Sequence, residues 1–180
     1  FLGIYGLDVV ALNHRVNNES FYINLISSIK SPHLILENKI LYTKTGSEYF
    51  PDAFSITYTD SLYPTIIISP PDMADVKILE ELLFEYEIMV EVICPTLISS
   101  VDIEVIKKSI AKTKKILTLE EGDSYAGYSS QVITALHNEN INSFKSAVMG
   151  YSGVIPACHP CEEQLLISKT DIIKKVRKMF

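Results

Sequence analysis

The amino-acid sequence predicts an α/β protein with a mostly parallel sheet flanked by helices, preceded by a partial βαβ unit. Three observations predict it. Short runs of β-branched and apolar residues alternate with segments of helical period. Pro, Asn, Ser or Asp stand at most of the junctions between them. Of 180 residues, 47% are hydrophobic and 21% charged, enough apolar material to bury a core.

The elements follow in order. Leu7 to Ala11 is an apolar run with Val9 and Val10, a strand. Asn17 and Asn18 cap a helix in which Phe21, Leu25 and Ile29 recur on one face, with Tyr22 and Ile26 beside them. Ser31-Pro32 stops that helix, and His33 to Glu37 is the next strand. Residues 45–63 break the period and read as a linker carrying one short strand near Phe54 to Tyr58. Thr65 to Ser69 is a β-branched strand. Pro70-Pro71-Asp72 ends it and opens a helix through Val76, Leu79, Leu83 and Tyr86. Met89 to Ile93 is a strand ended by Cys94-Pro95. Ser99-x-x-Asp102 resembles a capping box before a helix with Ile103, Ile106 and Ile110 inward, and Lys107, Lys108 and Lys112 follow toward its C-terminus. Ile116 to Leu119 is a strand, with Glu120-Glu121-Gly122-Asp123 as its carboxyl-end loop. Tyr128, Val132 and Leu136 mark a helix, Lys145 to Met149 a strand, and Thr170 caps a last helix with Ile172, Ile173, Val176 and Met179 inward.

Composition excludes several classes. A formal net charge of −6 argues against a nucleic-acid partner. No apolar run reaches the ~18 residues of a membrane span, despite a mean hydropathy of +0.19. Three cysteines make no disulfide framework, so a cytoplasmic (or organelle-matrix) location is expected. The chain starts at Phe1, inside a structured pattern, which suggests a piece of a longer protein.

Motifs with chemical potential are sparse. Cys158-His159-Pro160-Cys161 offers three zinc-ligand types, but a structural site needs a fourth, and Cys94 is remote. Pro156 and Pro160 account for this segment as an extended loop, and no metal is expected. Gly150-Tyr151-Ser152-Gly153 lacks nucleophile-elbow spacing. His14, His33, His137 and His159 have no catalytic companions at useful spacing, and no phosphate-binding glycine loop occurs. Lys174, Lys175, Arg177 and Lys178 read as a solvated face that complements the last helix's dipole. Glu120 and Glu121 end a strand where open parallel sheets bind ligands. As neighbours in an extended segment they point oppositely, so only one faces any given site. A carboxylate at a helix start is also what the macrodipole favours.

A resemblance extends this reading. Gly6-Leu7-Asp8-Val9-Val10 and Ser31-Pro32-His33-Leu34-Ile35-Leu36-Glu37, running on to Leu41-Tyr42, resemble the end of the pyrimidine-binding domain of thiamine-dependent 2-oxoacid dehydrogenase β subunits. Val90-Glu91-Val92-Ile93, the run from Ser109 to Lys114, and Ile116 to Gly122 are similar to the transketolase C-terminal domain. So are Gly127 to Val132 and Gly153 to Glu163. Cys94-Pro95-Thr96 replaces the usual Asp-Leu-Arg, Ser130-Gln131 the usual Ala-Glu, and Gly153 an Asp, marking a divergent member.

The resemblance implies an incomplete pyrimidine-binding domain over 1–44, a linker over 45–63 and a transketolase C-terminal-like domain over 64–180. It implies a parent that oxidatively decarboxylates a 2-oxoacid with thiamine diphosphate and magnesium. It places the catalytic and cofactor-binding residues outside this chain. The chain is then a non-catalytic assembly module, expected to form a homodimer and, in the parent, to meet an α subunit and an acyltransferase core. A transketolase or deoxyxylulose-phosphate synthase tail, or a free-standing α/β binding module, are the alternatives. The interface is expected at Glu120, Glu121, Gly122, Tyr125, Gly127 and Tyr128, an exposed loop with interface-type aromatics.

Overall fold

The computed structural model describes residues 1–12, 17–37, 54–57, 65–68, 85–88, 90–158, 160–161 and 164–179; at 54–57 and 65–68 this is the backbone alone. The helix expected over 72–86 falls almost wholly outside these residues, as do Met89, His14 and His159. No described helix is long and apolar enough to cross a membrane.

Strands β1 (Asp8–Ala11) and β2 (His33–Leu36) pair in parallel around helix α1 (Asn18–Ser28). This is the βαβ unit the N-terminal pattern predicts. The Asn17 side chain accepts from Ser20 N at 3.0 Å and starts the helix. The apolar face expected on α1 is covered only in part, with Phe21, Tyr22 and Leu25 half-buried. No α1 residue is buried, and Ile23, Ile26 and the flanking Ile29 are exposed.

The second sheet has the order β3-β5-β4-β6-β7. Its strands are β3 (Phe54–Thr57), β4 (Thr65–Ile68), β5 (Glu91–Pro95), β6 (Lys115–Asp123) and β7 (Lys145–Tyr151). β3 runs antiparallel to β5, and all other pairs are parallel. The short strand expected inside 45–63 is therefore an edge of this sheet.

Alternation along the strands divides the core into two layers. Val92, Cys94, Leu117 and Leu119 point to one face, where Ile172, Val176 and Met179 of the C-terminal helical segment cover them. Ile93 and Ile116 point to the other, against Ile106, Ile110, Tyr128, Val132 and Leu136. The helices are α2 (Ile103–Thr113), α3 (Tyr128–Asn138) and α4 (Lys169–Lys178). Asp102 accepts from Val105 N and caps α2. At the start of α4, Ser168 is the cap rather than the expected Thr170. Its hydroxyl accepts from Asp171 N at 3.1 Å, and Asp171 returns a contact to the same hydroxyl.

The two sheets share a core. Val9 and Ala11 lie with Leu34 and Leu36 against the α2–α3 layer. The segment after β5 closes the second side of β1: Ala11 N donates to Thr96 O at 2.7 Å, and Ile98 N to Val9 O at 2.8 Å. One of the two edges that a lone βαβ unit leaves open, that of β1, is thus satisfied within the chain.

Inside the α2 layer a charge is buried. Glu91, fully buried on β5, accepts from Ser109 Oγ and Lys112 Nζ of α2. The lysine keeps 43% of its side chain exposed, so only the carboxylate is withdrawn from water.

Ile106, fully buried at the centre of this layer, tests the packing. Ile106→Ala is expected to lower unfolding free energy by about 2–5 kcal/mol. Lys108→Ala, on the exposed side of the same helix, is expected to change it by less than about 0.5 kcal/mol. Urea denaturation of both variants measures the contrast.

Candidate functional site

The carboxyl end of β6 is not the loop that Glu120-Glu121-Gly122-Asp123 suggests. The strand continues through Asp123. Leu119 pairs with Met149 and Asp123 with Tyr151, so four steps of β6 run against two of β7 and the strand bulges between them. Gly150 makes room for the bulge. A Cβ there would stand 3.0 Å from the Gly122 carbonyl oxygen and from Ser124 Cα.

A turn follows. Asp123 Oδ1 accepts from Tyr125 N at 2.7 Å and Ala126 N at 3.2 Å, and Gly127 N donates to Asp123 O at 2.9 Å. Ser130 Oγ donates back to Tyr125 O at 2.6 Å. The turn delivers the chain into α3 with Gly127 as a cap that has no side chain to accept hydrogen bonds.

Glu120 supplies the missing acceptor. Its carboxylate, on a residue 3% exposed, accepts from Tyr128 N at 2.9 Å and Ser129 N at 3.1 Å. Two of the orphan N–H groups of α3 are satisfied, and the negative charge sits at the positive end of the helix dipole. The carboxylate occupies the space a side chain at 127 would need. A Cβ on Gly127 would overlap the Glu120 carboxyl group. Glycine is required here by close approach, not by a left-handed backbone.

The six residues expected at an exposed interface therefore separate. Tyr125 is 89% exposed, and Gly122 is exposed at the bulge. Gly127 and Glu121 are half-buried. Glu120 and Tyr128 are corrections: both are buried within the chain. Glu120 is spent on the α3 cap. Tyr128 is 2% exposed because it heads the same helical face as Val132 and Leu136. Its hydroxyl is buried without a hydrogen-bond partner. Burial, and then the negative charge of Asp102, push this phenol well above its ordinary range.

Alternation sends Glu121 to the opposite face from Glu120. There a cavity of about 130 Å³ is lined by Glu120, Glu121, Tyr151, Ile155 and residues 165–167. Sequence reasoning missed it, because its far wall is built by Tyr151, Ile155 and residues 165–167, more than twenty-five positions away. Beside it Val154, Ile155 and Leu166 are exposed, an apolar rim around the carboxyl end of the sheet. Among the described residues no three His, Cys, Asp or Glu side chains gather as a metal site. The described histidines are in local bonds: His33 Nδ1 lies 2.7 Å from Ser31 O, and His137 pairs with Asn142.

The cap predicts two outcomes. Gly127→Ala is expected to destabilise the chain by about 1–3 kcal/mol, since either the cap or the helix start must move. Glu120→Ala is expected to cost about 0.5–2 kcal/mol, and the double variant less than the sum, because both changes disrupt one contact. Denaturant titrations of the three variants measure this. Tyr128 predicts a pH effect. An unfolded tyrosine ionises near ~10. The folded phenol resists ionisation, so its share of stability is complete below that pH and falls as pH rises above it, by up to about 1.4 kcal/mol per pH unit. Tyr128→Phe is expected to be near neutral at pH 7 and to flatten the alkaline limb of a melting-temperature profile.

Comparison with known proteins places this arrangement. The family described as transketolase, C-terminal domain, matches residues 74–172. No curated protein matches the chain in sequence. A split-gene transketolase, solved as an inactive β4 tetramer, superposes over 99% of this chain and 59% of its own, with a TM-score of 0.75 at 18% identity. A 2-oxoglutarate:ferredoxin oxidoreductase from Magnetococcus marinus, solved with 2-oxoglutarate, coenzyme A and succinyl-CoA, covers 72% of this chain and 20% of its own, with a TM-score of 0.52 at 15% identity. The chain thus spans less than two thirds of either structure. With more than half its length matched by the family and the same α/β sheet, it belongs to the transketolase C-terminal domain family.

Proposed function

We propose that this chain is the assembly portion of a thiamine-diphosphate- and magnesium-dependent enzyme of the transketolase superfamily, and that it works through its surfaces. The parent reaction is the oxidative decarboxylation of a 2-oxoacid, as in the dehydrogenase β subunits that Glu37 and Leu41-Tyr42 resemble. Residues 1–44 are the end of a pyrimidine-binding domain, 45–63 its linker, and 64–180 the C-terminal domain.

The observation that carries this reading is the unfinished state of the N-terminal unit. β1 and β2 form a two-stranded sheet, and α1 offers Ile23, Ile26 and Ile29 to solvent. Contiguous exposed apolar side chains of this kind mark a surface made to be covered. The completed pyrimidine-binding domain is the cover proposed. The polar groups at the end of β6 support the same reading from the other side. Glu120 is committed to a helix cap and Tyr128 to the core, which leaves neither for chemistry on a substrate.

The chain pairs with a second copy about a two-fold axis, with Tyr125 and the apolar rim at Val154, Ile155 and Leu166 in the contact. An α subunit and an acyltransferase core complete the parent. A split-gene transketolase is the second reading, favoured by the neighbour that matches the chain almost end to end. Addition of the upstream sequence and a diphosphate-binding partner separates the two. The first reading requires turnover of a 2-oxoacid, the second transfer between ketose and aldose phosphates.

Two measurements test the proposal. Calorimetric titration of the chain alone with thiamine diphosphate and magnesium is expected to give no saturable binding, and a micromolar constant would overturn the assembly role. Sedimentation across a range of concentrations is expected to reveal a dimer that Tyr125→Ala weakens by about 1–3 kcal/mol. A chain that remains monomeric at high concentration, or a dimer indifferent to the substitution, removes this surface from the contact.

A further inference from the structure

Cys158 and Cys161 are not absorbed by the assembly role. Both are free and exposed, whereas Cys94 is buried on β5. They sit in one turn between β7 and α4, closed by Cys161 N donating to Cys158 O at 3.1 Å. A turn of this kind holds its first and last Cα atoms within ~7 Å, a separation that a disulfide spans. Pro160 fixes one backbone dihedral between them. The loop is therefore not the extended segment expected from its prolines. It is a tight turn with an exposed cysteine at either end.

We propose that Cys158 and Cys161 form a thiol–disulfide exchange site for small disulfides. One of the two, as thiolate, attacks one sulfur of the small disulfide. That S–S bond breaks, and one small thiolate leaves and takes up a proton. The other cysteine then loses its proton to solvent and attacks the protein sulfur of the mixed disulfide. A Cys158–Cys161 bond forms, and the second small thiol is released. Two protein thiols are oxidised, and one small disulfide is reduced to two thiols.

The Cys161 thiol is held above its ordinary range, first by the Cys158 thiol beside it and then by desolvation. The new bond would brace the segment whose Ile155 and residues 165–167 wall the cavity at the end of β6.

The test exposes the native chain to oxidised glutathione and reads free thiols and intact mass. Wild type is expected to lose two of its three thiols, with a mass lower by two hydrogens and no retained glutathione. Dithiothreitol should restore all of them. Cys161→Ser is expected to accumulate one stable glutathione adduct at Cys158. Cys158→Ser is expected to hold one at Cys161. Circular dichroism checks that both variants keep the fold. Stable adducts on the wild-type chain, two thiols that stay reactive throughout, or stoichiometric zinc that shields both would overturn the site.

Discussion

The carboxylate of Glu120 at the first turn of α3 is the contact on which the rest of this domain depends. It joins the longest strand of the sheet to the helix that carries Tyr128, Val132 and Leu136 into the core. It also dictates its surroundings. The residue at 127 cannot carry a side chain, the turn at 123–126 must hold its own hydrogen bonds, and β6 must bulge to bring the chain round. A charge 97% removed from water is tolerable because two N–H groups and a helix dipole receive it.

Glu91 repeats the device on the neighbouring strand with a different counterpart. It reaches α2 near the helix's last turn, where Ser109 and the lysine ammonium of Lys112 meet it. One acidic strand residue therefore holds a helix by its start and another by its end. Both carboxylates lie on the sheet face shared by α2 and α3. The opposite face is covered by α4, whose Ile172 and Val176 join the apolar layer of Val92, Leu117 and Leu119. Buried polar links of this kind fix the position of a helix along the sheet, which apolar packing leaves freer to slide.

Most of the architecture was legible because it rests on periodicity. Ile103, Ile106 and Ile110, or Tyr128, Val132 and Leu136, announce a helix and its inward face together. The end of β6 was not legible, for a physical reason. Glu-Glu-Gly-Asp has the composition of a loop, and only the partner strand reveals that it is a bulge. Gly122 and Gly150 were the available signals, since glycine inside a strand pattern marks close backbone approach. Tyr128 carried two conflicting signals, an aromatic beside a turn and the first member of an apolar helical row. The row governs, because its spacing carries the ring into the core layer that holds Ile106 and Ile116. Ser168 outcompeted Thr170 as a cap because Asp171 stands three residues after it. Pairing across the sheet, the cavity and the turn that joins two cysteines depend on folded distance, which one-dimensional spacing expresses only in part.

The uneven distribution of burial has a kinetic consequence. Every residue of β5 is buried, whereas α1 contributes none to the core. Amide protons on β5 and the middle of β6 should exchange only when the whole domain opens, while those of α1 escape through local fraying. The molecule is thus a slow-exchanging sheet with a fast-exchanging N-terminal appendage, and protection gained by α1 would register, residue by residue, the arrival of whatever covers it.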